Sequence, residues 1–383
     1  MKTLLIYDAF FSHGQSEKIN LEIATLLSAD ILTATYSFNS YIPEYLGYHG
    51  KLIEVYKTFE RNPSWIQTYI LSWKFFKNRS VFENYDTFFL CDRGLRAIPY
   101  IGEGANISYF LQKMPSFLRE FSEEEIVEIP YLLRWFYYMK KWFSRKIFIS
   151  RIKRVKRIFT NSAKNKTELM KITGRSDIVV LHPAVNTSQF HPIKQKVKFI
   201  FEEHNNIISV VKKEISEYYL STARLTSKKR VEEIIRAFTY LPSKNLVVLY
   251  REEDTKKNLC MEIARGHENI FFKKIIYDGE IPPIIANSIA TISIAREDDF
   301  ALSAIESMAC GIPVIGTNER GYKEIITHGK TGTLLKKEFI EYEIIDAINL
   351  MTIERASDMK DACIKKASEF SMENFSKELK KYI

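Results

Sequence analysis

Short apolar runs alternate with amphipathic stretches along most of this 383-residue chain. In the first half, the pattern predicts buried strands at Lys2–Tyr7, Thr87–Cys91, Arg157–Thr160 and Ile178–Leu181. A helix is predicted between the first two strands, because apolar residues recur at helical spacing over Ile19–Leu27. Strands that alternate with helices in this way are typical of parallel α/β sheets.

A second alternation begins at Tyr218 and continues through strands at Leu246–Tyr250, Ala290–Ala295 and Pro313–Gly316, with a helix over Ala301–Ala309. Between the two alternations, residues 190–217 hold a proline, many charges and little periodicity, so we place the domain boundary there. We predict an α/β protein of two Rossmann-like domains facing across a cleft. They span residues 1–200 and 201–365, and a helix in residues 366–383 packs back on the first domain.

Composition favours a cytosolic protein without a membrane span. No apolar run approaches the roughly 20 residues that a spanning helix needs. The apolar N-terminus is short and is interrupted by Asp8, so it predicts a first strand, not a signal peptide. The four cysteines lie far apart with no metal-ligand spacing, which indicates reduced thiols.

The net charge of +9 is concentrated in one segment. Ten Lys and Arg residues, and no acid, occur between Tyr131 and Phe159, and Trp135, Met139 and Trp142 share a helical face there. This pattern favours a helix at an anionic membrane surface. A core helix with a solvated edge is the alternative, and nucleic-acid binding is not expected. The residues assigned to the membrane surface are Arg134, Trp135, Lys140, Lys141, Trp142 and Arg145.

The segment from Ala295 to Ile326 has the strongest chemical pattern. It reads as a strand, a loop, a helix, a Gly-x-Pro turn, a second strand and a glycine-containing loop. Ligands of parallel α/β sheets bind at the carboxyl ends of strands, where a helix N-terminus suits a diphosphate. Asp298 and Glu306 are placed to accept hydrogen bonds from sugar and ribose hydroxyls, and Gly321 permits close approach.

This segment resembles the E-x7-E region of retaining glycosyltransferase family 4, which has the GT-B fold. Glu306 matches the second glutamate of the motif, whereas Asp298 replaces the first and Ala301 replaces a glycine. The later turn matches at Gly311, Pro313, Glu324 and Gly332. The resemblance implies a nucleotide-sugar donor contacted by Phe300, Ala301, Leu302, Gly321 and Glu324.

Two cations upstream extend the same resemblance. Arg224 and Lys229 match the family's Arg-Leu-x3-Lys segment, which implies that they grip the donor diphosphate and stabilise the leaving group. Residues 250–253 depart from the family's glycine-rich turn at the next strand. With Asp298 and Glu306, these cations form the predicted catalytic set.

In the first domain, the resemblance is patchy. Gly14 and Glu17 match a Gly-Gly-x-Glu turn, with Gln15 in place of the second glycine, and predict an acceptor or phosphate loop. Leu111 stands at the spacing of a sugar-facing histidine of the family.

The resemblance implies a retaining transferase that moves a hexose from GDP-mannose or a UDP-hexose to a glycan, glycolipid or lipid-linked acceptor. It implies no cofactor and no metal, and the acidic triplet 297–299 is not taken as a metal site. We expect a cytoplasmic protein, peripheral at the inner face of the cell membrane. A catalytically impaired scaffold subunit and a nucleotide-sugar epimerase remain as alternatives.

Overall fold

The computed structural model describes residues 2–10, 15–36, 48–55, 64–115, 117–119, 131–193, 199–206, 209–296, 298–336 and 341–382. The chain forms two compact units. The first comprises Met1–His182 with Leu379–Ile383, and the second comprises Pro183–Glu378.

The first unit is built on a seven-stranded sheet whose order is β3-β2-β1-β4-β5-β6-β7. Every pairing in it is parallel. Its strands are β1 (Thr3–Phe10), β2 (Asp30–Tyr36), β3 (Leu52–Glu54), β4 (Thr87–Cys91), β5 (Asn106–Leu111), β6 (Arg157–Thr160) and β7 (Ile178–Val180).

Helices connect these strands. They are α1 (Gln15–Leu26), α2 (Ser64–Lys77), α3 (Tyr131–Ile152) and α4 (Ala163–Thr173), with 3₁₀ segments at Arg79–Asn84 and Asp92–Tyr100. The core consists of the apolar strand residues packed against the inner faces of these helices, such as Leu71 and Phe75 of α2. Strands apolar on both faces are expected where helices cover a parallel sheet.

The second unit has an eight-stranded sheet of order β15-β14-β13-β10-β11-β12-β8-β9. Six strands are parallel, and a hairpin of two further strands pairs antiparallel with β12 at the edge. The strands are β8 (Phe199–Asn206), β9 (Ser209–Ile215), β10 (Tyr219–Ser221), β11 (Leu246–Tyr250), β12 (Ile270–Lys274), β13 (Thr291–Ser293), β14 (Val314–Thr317) and β15 (Gly332–Leu335).

The helices of the second unit are shorter. They are α5 (Val231–Thr239), α6 (Lys257–Ile263), α7 (Ile281–Asn287), α8 (Leu302–Ala309), α9 (Arg320–Ile325), α10 (Glu341–Leu350), α11 (Ile353–Asp358), α12 (Lys360–Ser368) and α13 (Met372–Lys380), with 3₁₀ turns at Ser227–Lys229 and Asp278–Glu280. One apolar core joins the sheet to these helices.

The strand order of each sheet reverses at one point. In the first sheet, the chain runs outward from β1 to β3 and then resumes on the other side at β4; in the second, it runs from β10 to β12 and resumes at β13. Loops that leave the carboxyl ends of two such strands diverge, which opens a crevice for ligands. The fold therefore offers one candidate site on each sheet, at β1/β4 and at β10/β13.

The division between the units lies earlier in the chain than the predicted boundary at residue 200. Pro183 begins the second unit because the following segment packs there: the Val185 amide donates to the Phe370 carbonyl at 2.8 Å, and Phe190 is buried in the core. At the C-terminus, only Leu379–Ile383 groups with the first unit, not the whole of residues 366–383.

The charged stretch that was predicted to link the domains instead contains the hairpin of β8 and β9. At the open end of this hairpin, Phe199 pairs with Ile215. Glu202 of β8 pairs with Phe272 of β12, which joins the hairpin to the sheet. Its charged sequence lacks the regular apolar alternation of a buried strand, so periodicity did not predict it.

Candidate functional site

An ion pair joins the two loops that leave the switch point of the second sheet. Lys229 follows β10 and Asp298 follows β13, and Lys229 Nζ donates to Asp298 Oδ2 at 2.7 Å. The Lys229 side chain keeps 35% of its surface exposed and Asp298 keeps 19%. The structure thus brings together two predicted catalytic residues that lie 69 positions apart in the sequence.

Local backbone geometry fixes the Lys229 turn. Arg230 adopts a left-handed conformation with φ of 55°, and its guanidinium forms two hydrogen bonds with Glu233, at 2.7 and 2.6 Å. A non-glycine residue in this region costs about 1–3 kcal/mol, which the surrounding contacts must offset. The Arg296 amide donates to the Lys228 carbonyl at 2.8 Å and ties the second loop to the first.

Arg224 contacts a different carboxylate. Its Nε donates to Asp254 Oδ1 at 3.2 Å, and Asp254 also accepts the Arg251 amide at 2.9 Å. Asp254 is fully buried, whereas 57% of the Arg224 side chain is exposed. A guanidinium carries five N–H donors, and this contact uses only the one on Nε. The exposed Arg224 side chain therefore keeps its terminal N–H groups for a ligand.

The turn that departs from the glycine-rich family pattern supplies a third cation. Arg251 follows β11 and pairs with Asp278, and the Tyr250 carbonyl accepts the Ile275 amide at 2.9 Å. A guanidinium thus stands at the carboxyl end of β11. Glycines there would instead offer backbone N–H groups.

Helix α8 presents two faces. Phe300, Ala301 and Leu302 are buried at its start, and the Phe300 ring meets Phe370 edge-on at 5.8 Å. Their side chains therefore belong to the core, and only their backbone can reach a donor. Glu306, in the second turn, is only half-buried.

The first turn of α8 is tightly bonded. The Leu302 amide donates to the Phe300 carbonyl and the Ala304 amide to the Ala301 carbonyl, both at 3.0 Å. These two N–H groups, which the sequence suggested for a diphosphate, are engaged within the protein. The positive end of the helix dipole remains at this end of the sheet.

Gly321 permits a close approach within the protein. A Cβ there would lie 2.7 Å from the Phe300 Cα and 2.9 Å from the Ala301 nitrogen. The Gly321 amide donates to the Asp298 carbonyl at 3.3 Å, and Arg320 bonds Asp299 at 3.1 Å. The start of α9 thus holds the Asp298 loop in place. Glu324 lies half-buried on the same helix.

The cysteines do not provide a nucleophile. All four thiols are buried, and burial raises the pKa of Cys310 to about 12, with Glu306 adding to the effect. A thiol with such a pKa stays protonated near neutral pH. Within the described ranges, no group of three or more His, Cys, Asp and Glu side chains could hold a metal ion.

The first-domain loop is described in part. Gly14 lies outside the described residues, and α1 begins at Gln15, whose side chain is likewise not described. Glu17 is half-buried in the first turn of α1. Leu111 ends β5 and is fully buried, and His182 Nδ1 lies 3.0 Å from the Asn161 carbonyl oxygen.

The residues assigned to a membrane surface lie on α3. The Trp135 side chain is 69% exposed and that of Trp142 is 60% exposed. Lys140 and Arg145 are exposed as well. Lys141 Nζ donates to the Arg119 carbonyl at 2.5 Å, and, like Arg134, it is half-buried. Only the C-terminal part of α3 enters the core, through residues such as Phe148 and Ile152. Among the described residues, no helix is both long and apolar enough to cross a membrane.

Sequence reasoning missed the carboxylates that orient the cations. Asp254, Asp278 and Asp299 each bond an arginine, and none of them belongs to the motif that was matched. The first sheet carries two further acids that the sequence did mark. Asp8 and Asp92 directly continue the apolar strand runs LLIY and FFLC, at the edge where parallel sheets bind ligands.

Curated relatives match part of the chain. Alpha-1,3/1,6-mannosyltransferase ALG2 of Dictyostelium discoideum is 28% identical over 178 residues, which cover 40% of this chain and 42% of that protein. N-acetyl-alpha-D-glucosaminyl L-malate synthase of Bacillus anthracis is 30% identical over 110 residues, 28% of each chain. Sucrose synthase of Solanum tuberosum is 28% identical over 164 residues, 37% of this chain and 20% of that enzyme. The matches thus span less than half the length of these relatives.

Solved structures match the whole chain in fold. HepE of Anabaena, in complex with UDP and glucose, has a TM-score of 0.72 at 15% identity, covering 100% of this chain and 98% of that one. Sucrose-phosphate synthase of Thermosynechococcus elongatus has a TM-score of 0.74 at 13% identity with the same coverage. These likenesses show the GT-B fold of two parallel-sheet, Rossmann-like domains.

The family model described as "Glycosyl transferases group 1" matches residues 202–370. This range contains the Lys229–Asp298 pair, Arg224 and Glu306. Over residues 202–370, the chain is therefore similar to the glycosyl transferases group 1 family.

Proposed function

We propose that this protein is a retaining glycosyltransferase that moves a hexose from a nucleotide-sugar donor to a glycan, glycolipid or lipid-linked acceptor. The observation that carries the proposal is the Lys229–Asp298 ion pair at the β10/β13 switch point, with the exposed guanidinium of Arg224 following the same strand. Two cations on one loop match a ligand with two adjacent phosphates.

The chemistry explains why cations belong there. When the bond between the anomeric carbon and the β-phosphate oxygen breaks, that oxygen takes the electron pair and the leaving diphosphate gains charge. Lys229 and Arg224 would offset this charge, and donors already in place cost no reorganisation during the reaction. The acceptor oxygen then bonds the anomeric carbon from the same face, and its proton passes to the leaving phosphate.

The Lys229–Asp298 pair also suits a donor that must enter and leave. Both side chains are partly exposed, and exposed ion pairs contribute at most about 1 kcal/mol. A diphosphate can therefore replace Asp298 as the partner of Lys229 at little cost. Asp298 would then be released to accept hydrogen bonds from hydroxyl groups of the donor.

Comparisons support a nucleotide-sugar as the donor. HepE of Anabaena, which shares the fold, has been solved with UDP and with UDP-glucose. The proposal keeps GDP-mannose and a UDP-hexose as the two candidate donors. The proposal requires neither a metal nor a cofactor.

Release of nucleoside diphosphate from a panel of UDP-hexoses and GDP-mannose tests the proposal. Lys229→Met and Arg224→Met should each lower the rate about 10²–10³-fold, as expected when one stabilising group is lost. Lys228→Met and Arg236→Met are matched controls, because both remove a positive charge from an exposed side chain of the second unit. Both controls should keep the wild-type rate.

The same assay separates the alternatives. No turnover with any donor, despite nucleotide binding, would favour a scaffold subunit. Conversion of one donor into its epimer without acceptor would favour an epimerase. Equal rates in Lys229→Met, Arg224→Met and their controls would overturn the assignment of these cations.

We further propose that α3 rests on an anionic membrane surface, which would bring a lipid-linked acceptor to the enzyme. The support is the coincidence of exposed aromatic and basic side chains on one helix. Lys146 Nζ lies 5.0 Å above the Trp142 ring, and Trp135 and Phe143 are exposed beside further cations. Aromatic rings with a flanking positive charge suit the headgroup region of a bilayer. This would make the protein peripheral at the inner face of the cell membrane.

A further inference from the structure

One buried carboxylate joins two of the loops that follow the strands of the second sheet. Asp254 Oδ1 accepts the Nε–H group of Arg224 at 3.2 Å, and Asp254 Oδ2 accepts the Arg251 amide at 2.9 Å. Arg224 follows β10 and Arg251 follows β11, and these two strands pair in parallel. Loops that follow neighbouring parallel strands begin at the same edge of a sheet, where ligands bind. Asp254 therefore lies between two loops at the edge that carries the candidate donor site.

The two side chains differ in burial, and this difference gives them different roles. The Asp254 side chain is fully buried, whereas 57% of the Arg224 side chain is exposed. A carboxylate that has lost its water depends on the donors around it. Asp254 is out of reach of a ligand in solution, so it can act on a ligand only through the groups that it bonds.

The contact fixes the orientation of Arg224 as well as its position. A guanidinium is planar, and its N–H groups point in set directions within that plane. With Nε bound to Asp254, the plane cannot rotate freely, and the terminal N–H groups keep one direction. A lysine ammonium in the same place would be a point charge without such a direction.

The turn that carries Asp254 is also anchored on its other side. Arg251 pairs with Asp278, which lies in the 3₁₀ turn after β12. The Ile275 amide, at the end of β12, donates to the Tyr250 carbonyl at 2.9 Å. A carboxylate on a turn that is held from both sides is a fixed point against which a flexible cation can be oriented.

A separate backbone contact joins the same two loops without the Asp254 side chain. The Lys256 amide donates to the Leu225 carbonyl at 2.8 Å, and Leu225 is fully buried in the core. Substitution of Asp254 should therefore release Arg224 without separating the loops. The orientation of Arg224 and the fold of the unit can thus be tested apart.

We propose that Asp254 is a positioning residue that acts through Arg224 and directs its guanidinium at the leaving diphosphate of the donor. The proposal rests on the transferase function proposed above and adds a residue to the same site. Asp254 directly follows residues 250–253, where the chain departs from the family's glycine-rich turn, so the resemblance assigns it no role. Glycines would offer backbone N–H groups there, whereas this turn adds a side chain that accepts hydrogen bonds.

Asp254→Ala should lower kcat for donor cleavage about tenfold, because a misdirected cation offsets the charge on the leaving diphosphate less well. The KM for the donor should change less, since that charge develops only after the donor has bound. The measurement is release of nucleoside diphosphate from whichever of the UDP-hexoses and GDP-mannose the wild type cleaves fastest. Glu253→Ala is the matched control, because it removes an exposed carboxyl group from the same turn, and it should keep the wild-type kcat.

A double-mutant cycle separates positioning from a structural role. In the Arg224→Met background, Asp254→Ala should cause no further loss of kcat, because no guanidinium remains to be oriented. A structural role would instead lower kcat by the same factor in both backgrounds. Asp254→Asn keeps the size of the side chain and one acceptor oxygen. It takes the place of Asp254→Ala in the cycle if thermal unfolding shows that Asp254→Ala does not fold.

Additive losses in the cycle, or a wild-type kcat in Asp254→Ala, would overturn the role of Asp254. If the wild type cleaves no donor, the transferase proposal is wrong, and the same cycle on the Kd of UDP and GDP tests Asp254 by itself. Asp254→Ala should then weaken nucleotide binding in the wild-type background and leave it unchanged in Arg224→Met. Failure of the wild type to bind either nucleotide would count against both proposals.

Discussion

Lys229 and Arg224 each lie beside a carboxylate, yet the two pairs differ in burial. Asp298 is partly exposed beside Lys229, whereas Asp254 is fully buried beside Arg224. Leaving a buried carboxylate without its partner is costly, while an exposed pair is easily exchanged. We therefore expect Arg224 to keep its position throughout the reaction and Lys229 to change partner when the donor binds.

Substitution of Gly321 should damage the same site without removing any charge. A Cβ in Gly321→Ala would lie 2.7 Å from the Phe300 Cα, and backbone atoms cannot move aside as a flexible side chain can. Overpacking of this kind costs about 1–3 kcal/mol. Both the melting temperature and the affinity for the nucleotide should fall, as measured by thermal unfolding and calorimetric titration.

Gly102→Ala is the control for this substitution, because an added Cβ there meets no atom within 4 Å and the backbone is not left-handed. It should leave the melting temperature unchanged. A Gly321→Ala variant as stable and as active as wild type would show that α9 does not hold the Asp298 loop.

Among the elements, α3 is unusual in leaving so many large apolar side chains in solvent. Trp135, Phe136, Trp142 and Phe143 are each at least 60% exposed. Helix α2 adds Trp73 and Phe76, which are about half exposed, and both helices pack against the 3₁₀ segment Asp92–Tyr100. Large apolar side chains that stay exposed in such numbers on one helix indicate an interaction site in a folded protein.

Vesicle binding should depend on the cations of α3. Each basic residue near an anionic bilayer contributes about 1 kcal/mol, so the double variant Lys140→Ala/Arg145→Ala should bind about thirtyfold more weakly. The measurement is co-sedimentation with phosphatidylcholine vesicles that contain phosphatidylglycerol. Added salt should weaken binding of the wild type, because it screens the attraction.

A matched control removes the same charge from another helix of the first unit. Lys164→Ala/Lys171→Ala alters two exposed lysines of α4 and should bind as wild type does. If both double variants bind equally, net charge accounts for the association and the α3 surface does not. Equal binding to vesicles without phosphatidylglycerol would also contradict the proposal.

On the scale of the whole molecule, the two units have separate cores, and the candidate donor site lies within the second. A nucleotide that binds only the folded chain stabilises it by about 2.7 kcal/mol at a concentration one hundred times Kd. We expect UDP or GDP, but not both equally, to raise the melting temperature. Scanning both nucleotides with wild type would identify the base of the donor.

The same scan with Lys229→Met should show a smaller rise, since the diphosphate loses a cation, and Lys228→Met should match wild type. Uridine and guanosine, which lack phosphates, serve as ligand controls. A rise of equal size with nucleosides would indicate that the diphosphate is not gripped by these cations.

The sequence by itself determined the fold class and the order of elements around Glu306. Parallel α/β sheets leave a strong periodic signature, and the Gly-x-Pro turn between α8 and β14 is local in the chain. The α3 helix was likewise predicted from local spacing. Each of these features depends on residues within a few turns of one another.

Only the tertiary structure decided which side chains meet. The Lys229–Asp298 pair spans 69 positions, so strand order, not sequence spacing, creates it. The β8–β9 hairpin was missed because an edge strand can be charged without losing its backbone pairing. The sequence left open whether the aromatic side chains of α3 lie in the core or at the surface. The structure leaves Trp135 and Trp142 exposed, because no other described element covers them. Local chemistry thus determined the elements, and the topology of the two sheets determined the sites.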